Sequence, residues 1–101
     1  MPAAADVRLT PQAERDLAAI WWRGVERWSV GQADAYLADL AATFALIAAH
    51  PRMAPHRAGV RGDVRCHPHG AHVVAYRIAA RGVEVVRVLP SRSDWIALLA
   101  E

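Results

Sequence analysis

The sequence predicts an α+β fold: a short N-terminal strand, an antiparallel helical hairpin on one face of an antiparallel sheet, and a short C-terminal helix, in the order β-α-α-β-β-β. Three observations predict it. Residues 11–49 carry two apolar stripes at helical spacing, separated only by Trp28 and Ser29. Residues 64–89 read as three consecutive strands separated by Pro68-Gly70 and Arg81-Gly82. A short apolar triplet, Val7-Arg8-Leu9, stands ahead of both blocks.

Taken in order, Val7 to Leu9 reads as the first strand. Thr10-Pro11 then opens a helix, with Thr as N-cap and Pro where its missing N–H costs nothing. Glu14 and Asp16 suit the positive end of the helix dipole. Ala13, Leu17, Ile20, Trp21 and Val25 form its apolar stripe, with Trp28 near the end. Ser29-Val30-Gly31-Gln32 reads as a capping box for the second helix. Its stripe, Ala33, Leu37, Leu40, Phe44 and Ile47, steps by four and three residues in turn, and the helix stops before Pro51. A link this short forces the two helices antiparallel.

Residues 51–62, with two Pro, two Gly and three Arg and no periodicity, read as a loop. Val64–His67 and His72–Ile78 are strands. Val83–Leu89 is apolar on both faces apart from Glu84 and Arg87, as an interior strand is. Ser93-Asp94 caps a terminal turn of helix, Trp95–Ala100. A helical hairpin covers only one sheet face, so the other is polar or covered by something else. The apolar run of Val83–Leu89 argues for a cover.

At 101 residues the chain is a single domain, residues 1–101, with one modest core. One cysteine, Cys66, excludes an internal disulfide and suits a reducing cytoplasm. No stretch is long and apolar enough to span a membrane, and MPAAADVRLT lacks the basic start and apolar core of a secretory signal. The net charge of +2 is too small to predict nucleic-acid binding. It is unevenly placed: net −2 over residues 1–49 and net +4 over residues 50–101, with every basic residue an Arg. Arg grips carboxylates and phosphates with a planar fork, and any mechanism that needs Lys is excluded.

Three groups of residues are candidates for function. Cys66, His67, His69 and His72 are of metal-ligand type, with His50 and His56 upstream. They crowd one tight turn rather than forming two spaced pairs, so no metal site and no thiol nucleophile are expected; these are turn histidines, one of them hydrogen-bonded. Arg65, Arg77, Arg87 and Arg92 lie on or beside strands and suit either a phosphate or acidic side chains of a partner. Arg87, inside an apolar strand, is expected to be paired and partner-facing, because an interior charge without a counter-ion is costly. Trp22 stands beside the stripe residue Trp21 and faces elsewhere, onto the other helix or onto a partner. No Gly-rich phosphate loop, carboxylate pair or Ser-His-Asp set is present, and no cofactor is expected.

The strand block carries Val64-Arg65, Gly70-x-His72-Val73-Val74-x-Tyr76-Arg77 and Val85-Val86-Arg87-Val88-Leu89 with Arg92 behind. Ahead of it stand Leu9-Thr10-Pro11-x-Ala13-Glu14-x-Asp16-Leu17, Glu26-x-Trp28 and Ile47-x-x-His50-Pro51-Arg52. In this order the chain resembles the ParE branch of the RelE/ParE toxin superfamily, from Val7 to about Trp95. Ala54 and Pro90 depart from the family pattern, which often has Gly and His there. The resemblance implies the toxic component of a type II toxin–antitoxin pair that inhibits DNA gyrase by protein–protein contact. It implies a ParD-like antitoxin that forms a hetero-oligomer with the toxin, and contact with DNA only through that antitoxin. It also implies a functional surface built from Arg65, Tyr76, Arg77, Arg87 and Arg92.

Two other readings stand beside this one. The superfamily includes ribosome-dependent messenger RNA endoribonucleases, and Arg65 matches the position of a catalytic Arg there. The absence of Lys and the Pro90-Ser91 pair at the end of the last strand speak against that chemistry. The third reading is a non-toxic antitoxin-binding corepressor.

Overall fold

The computed structural model describes residues 6–56 and 62–100. The elements are β1 (Asp6–Leu9), α1 (Pro11–Arg27), α2 (Val30–Ala49), β2 (Arg65–His69), β3 (His72–Ala79), β4 (Gly82–Pro90) and α3 (Trp95–Ala100). One four-stranded sheet has the order β1-β4-β3-β2. β2, β3 and β4 form an antiparallel meander, while β1 pairs parallel with β4, Asp6 opposite Gly82 through Leu9 opposite Val85. The sheet is therefore mixed. A parallel neighbour needs a long crossover, and the helical hairpin between β1 and β2 supplies the first part of it.

Both helix starts follow from their caps. Thr10 Oγ1 accepts the Ala13 N–H at 3.0 Å and donates to the Val86 carbonyl at 2.7 Å. One hydroxyl thus caps α1 and ties it to β4 where β1 ends. Ser29 Oγ accepts the Gln32 N–H at 3.0 Å. The hairpin closes tightly because Gly24 has no side chain: a Cβ there would stand 3.0 Å from Ala33 Cβ. The outward side of α2 carries Ala35, Ala38, Ala41, Ala42, Ala45 and the half-exposed Leu46, where the predicted amphipathic pattern calls for polar residues. Alanine holds the helix by propensity alone and leaves that face apolar.

The main core lies between hairpin and sheet: Ala13, Leu40, Phe44 and Ile47 against Val74, Tyr76, Val83, Val85 and Val88. A second cluster, Val64, Cys66, Val73, Ala75 and Leu89, lies on the opposite face beneath Leu99, with Trp95 packed against it. The cover predicted for that face is the chain's own α3. β3 and β4 shift register at Ala75/Tyr76: Tyr76 opposes Val85 and Ala75 opposes Arg87, leaving Val86 as the extra residue of a bulge. No helix among the described residues is long and apolar enough to cross a membrane.

Candidate partner-binding surface

Strand alternation decides where each candidate Arg goes. Arg65 opposes Tyr76 across β2 and β3, on the helix side of the sheet. Arg65 Nη1 donates to the Ala54 carbonyl at 2.8 Å, and Tyr76 OH donates to the Pro51 carbonyl at 2.7 Å. The two side chains clamp the loop that leaves α2, with half-buried Arg65 at its outer edge. Tyr76 is fully buried, and that burial raises its pKa, so its hydroxyl remains a neutral donor. Tyr76 therefore supports the surface from beneath and offers a partner nothing directly, which corrects its place in the expected contact set.

Arg87 is paired within the chain. Its Nε and Nη2 donate to the two carboxylate oxygens of Asp16 at 2.8 and 3.0 Å. The same carboxylate accepts the Val88 N–H at 2.9 Å. The counter-ion that an interior charge demands thus comes from α1 of the same chain, not from a partner. β1 ends opposite Val85, so this stretch of β4 has no strand neighbour on that edge; there Thr10 donates to the Val86 carbonyl and Asp16 accepts the Val88 N–H. Asp16 was legible only as a helix-dipole residue; nothing in its local sequence signals a partner at Arg87.

Arg77 is exposed and pairs with Glu84 across β3 and β4 at 3.1 Å, a solvated contact worth little. Arg92 is exposed in the turn after β4. The four Arg do not converge: Arg65 lies on the helix side, Arg77 belongs by register to the α3 side, Arg87 is tied to Asp16 of α1, and Arg92 lies beyond the sheet.

The hairpin carries the exposed tryptophans. Trp22 is 59% exposed and meets Trp21 edge-on at 5.1 Å between ring centroids, so it faces solvent rather than the other helix. Trp21 is held by its indole N–H, which donates to Asp34 at 2.8 Å. At the hairpin tip Trp28 and Val30 are also exposed, with the Arg27 guanidinium 5.6 Å from the Trp28 ring. Exposed Trp beside Arg and apolar residues is the composition of interface anchors.

The turn histidines separate in the same way. His67 and His69 point to the helix side, while Cys66 is buried in the α3-side cluster. Among the described residues no three His, Cys, Asp or Glu side chains come together as a metal site would need. His69 and His72 oppose each other beside the tight turn at Gly70, and both are hydrogen-bonded to α2: Thr43 Oγ1 to His69 Nδ1 at 2.8 Å, and Tyr36 OH to His72 Nδ1 at 2.6 Å. Burial, then the Arg23 guanidinium and His69, lowers the His72 pKa. His56 stands elsewhere: it bridges to Arg65 through the backbone, and its Nε2 is 2.6 Å from Asp63.

Comparison with known proteins adds four findings. Residues 7–95 match the family model described as ParE toxin of type II toxin-antitoxin system, parDE. Toxin ParE1 of Caulobacter vibrioides is 43% identical over 82 residues, covering 81% of this chain and 84% of that protein. Toxin ParE1 of Mycobacterium tuberculosis is 37% identical over 87 residues, covering 85% and 89%. A solved structure described as the chromosomal ParDE TA system from P. aeruginosa superposes with a TM-score of 0.71 at 18% identity, over 86% of this chain and 96% of that one, a likeness of fold.

Proposed function

We propose, from the premise that this chain belongs to the ParE toxin family of type II toxin–antitoxin systems, that it inhibits DNA gyrase by protein–protein contact and is neutralised by a ParD-like antitoxin in a cytoplasmic hetero-oligomer. The observation that carries the gyrase reading is the state of Arg65. A nuclease needs its Arg free to steady a phosphate and an acid and base beside it. Here the Arg65 guanidinium binds the Ala54 carbonyl, and its cross-strand neighbour Tyr76 is buried. Of the turn histidines on its side of the sheet, His69 lies four residues further along β2, roughly 13 Å at the usual strand rise, and His67 two residues, roughly 7 Å.

The partner-binding reading rests on surface chemistry. Trp22, Trp28, Val30 and Leu46 are exposed on the hairpin, and Arg65, Arg77 and Arg92 ring the sheet. An antitoxin segment with apolar anchors and acidic residues matches both. The test is a gyrase supercoiling and DNA-cleavage assay with purified toxin, with and without antitoxin. Loss of supercoiling or accumulated double-strand breaks, reversed by antitoxin, supports the reading; an unaffected gyrase sinks it.

One observation favours the ribonuclease reading. The His56–Asp63 pair lies beside Arg65, since His56 and Arg65 are bridge partners. That reading predicts ribosome-dependent messenger RNA cleavage, abolished by His56→Ala.

A further inference from the structure

The two edges of the sheet differ. At β2, His56 bridges Arg65 from outside and Pro68 offers no N–H, so that edge is partly filled and short of a donor. At β1 the ladder itself shows which peptide groups point outward. The Asp6 N–H donates to the Arg81 carbonyl at 2.8 Å, and the Thr10 N–H to the Val85 carbonyl at 3.1 Å. Alternate residues of a strand bond to the same neighbour, so Asp6, Arg8 and Thr10 turn their peptide groups toward β4. Val7 and Leu9 each turn an N–H and a C=O the other way, where no backbone partner stands among the described residues. This edge carries no Pro and no bulge. The side chains separate by the same alternation. Val7 and Leu9 share the helix side with their register partners Val83 and Val85. Asp6 and Arg8 therefore stand on the α3 side; both are exposed, and neither forms an ion pair among the described residues.

We propose that the β1 edge binds β1 of a second copy of this chain, antiparallel, with the two-fold axis at Val7. Each Val7 N–H then donates to the Val7 carbonyl of the other protomer, and two four-stranded sheets become one continuous sheet. Asp6 of each protomer stands directly opposite Arg8 of its partner, in the close pairing that lies between hydrogen-bonded pairs. Opposite charges thus meet twice on the α3 side. The order acid, apolar, base in Asp6-Val7-Arg8 is complementary to its own antiparallel copy, and that self-complementarity selects the occupant. It also selects the register. An axis at Arg8 would pair Val7 with Leu9 but set the two Arg8 side chains against each other. An axis at Leu9 would place Arg8 opposite Thr10, where the chain already caps α1. A strand of four residues buries less than the roughly 1,200 Å² of a standard interface, so the association is weak and grows with protein concentration.

The experiment uses the full chain alone, at low salt, from micromolar to millimolar concentration. Sedimentation equilibrium reads the mass and amide NMR reads the edge. Expected are a dimeric mass that grows with concentration and a Val7 amide signal that shifts with it, while the Thr10 amide, already bonded to Val85, holds its position. Asp6→Arg and Arg8→Asp each turn both ion pairs into like-charge contacts and are expected to weaken association roughly fivefold or more. An equimolar mixture of the two variants restores both opposite-charge contacts and is expected to associate as the unaltered chain does. Val7→Pro removes the edge donor but no bond to β4, and is expected to abolish association while the Thr10 amide stays protected from exchange. If Val7→Pro loses that protection, the mixture of charge variants decides alone. A chain that stays monomeric at millimolar concentration, a mixture that associates no better than its components, or association undiminished in a folded Val7→Pro would each overturn the proposal. No antitoxin or gyrase is present, so either result leaves those readings standing.

Discussion

Asp16→Ala separates a structural Arg87 from a partner-facing one. The substitution deletes the acceptor of three hydrogen bonds, two from Arg87 at 2.8 and 3.0 Å and one from the Val88 N–H at 2.9 Å. The two side chains retain only 24% and 15% of their exposure, so water replaces the carboxylate poorly. Removing one partner of a buried ion pair costs about 3–5 kcal/mol. The residual access of the Arg87 side chain puts this pair at the lower end, about 3 kcal/mol. At about 4–8 °C per kcal/mol for a domain of this size, the melting temperature should fall by roughly 15 °C. Asp16→Asn keeps an acceptor for Val88 and loses only the charge, so its fall should be about half as large. Differential scanning calorimetry on the free toxin is the assay. A drop below about 4 °C for Asp16→Ala, less than 1 kcal/mol, would refute the argument. Loss of antitoxin affinity at an unchanged melting temperature would restore the partner-facing role.

Four further outcomes follow from named contacts. Thr10→Ala loses both the α1 cap and the Val86 carbonyl bond and should destabilise by about 1–2 kcal/mol in urea denaturation. Gly82→Ala puts a methyl 1.9 Å from the Asp6 carbonyl oxygen, so β1 should detach; hydrogen exchange of the Thr10 amide, which bonds the Val85 carbonyl at 3.1 Å, should speed up, and unchanged protection would contradict the register. His72 is lowered by burial first and by Arg23 next, so the unfolded chain binds its proton at higher pH than the folded one. That contribution to stability is present above the ordinary His pKa, about 6.5, and is lost as pH falls toward the lower folded value. Melting temperatures measured from pH 7.5 to pH 5 should show this fall, and His72→Gln should flatten it. Trp22→Ala should leave the melting temperature nearly unchanged, because the ring is exposed, yet weaken antitoxin or gyrase binding measured by calorimetry.

Local signals carried much of the fold. The caps at Thr10 and Ser29, the stop before Pro51 and the turn at Gly70 each depend on residues a few positions apart, and each was legible. The terminal helix Trp95–Ala100 has the predicted bounds. The parallel pairing of β1 with β4 was not legible, because it joins residues some seventy positions apart with no pattern to fix their direction. The same separation hid the Asp16–Arg87 pair: the sequence said that Arg87 needs a counter-ion but not which one. Tyr76 matched a family pattern whose residues include core as well as surface positions, and alternation along β3 puts it in the core. The sequence called for a cover on the second face without showing that the six-residue α3 supplies it. Trp95 and Leu99 suffice, because Val64, Cys66, Val73 and Ala75 present a narrow apolar strip.

The most direct measurement is relaxed-plasmid supercoiling by purified gyrase titrated with this toxin, run beside ribosome-dependent messenger RNA cleavage with the same preparation. The account predicts that supercoiling falls as toxin approaches gyrase in concentration, returns when antitoxin is added, and is accompanied by no RNA cleavage. RNA cleavage with supercoiling intact would contradict it and make Arg65, His56 and Asp63 a catalytic group.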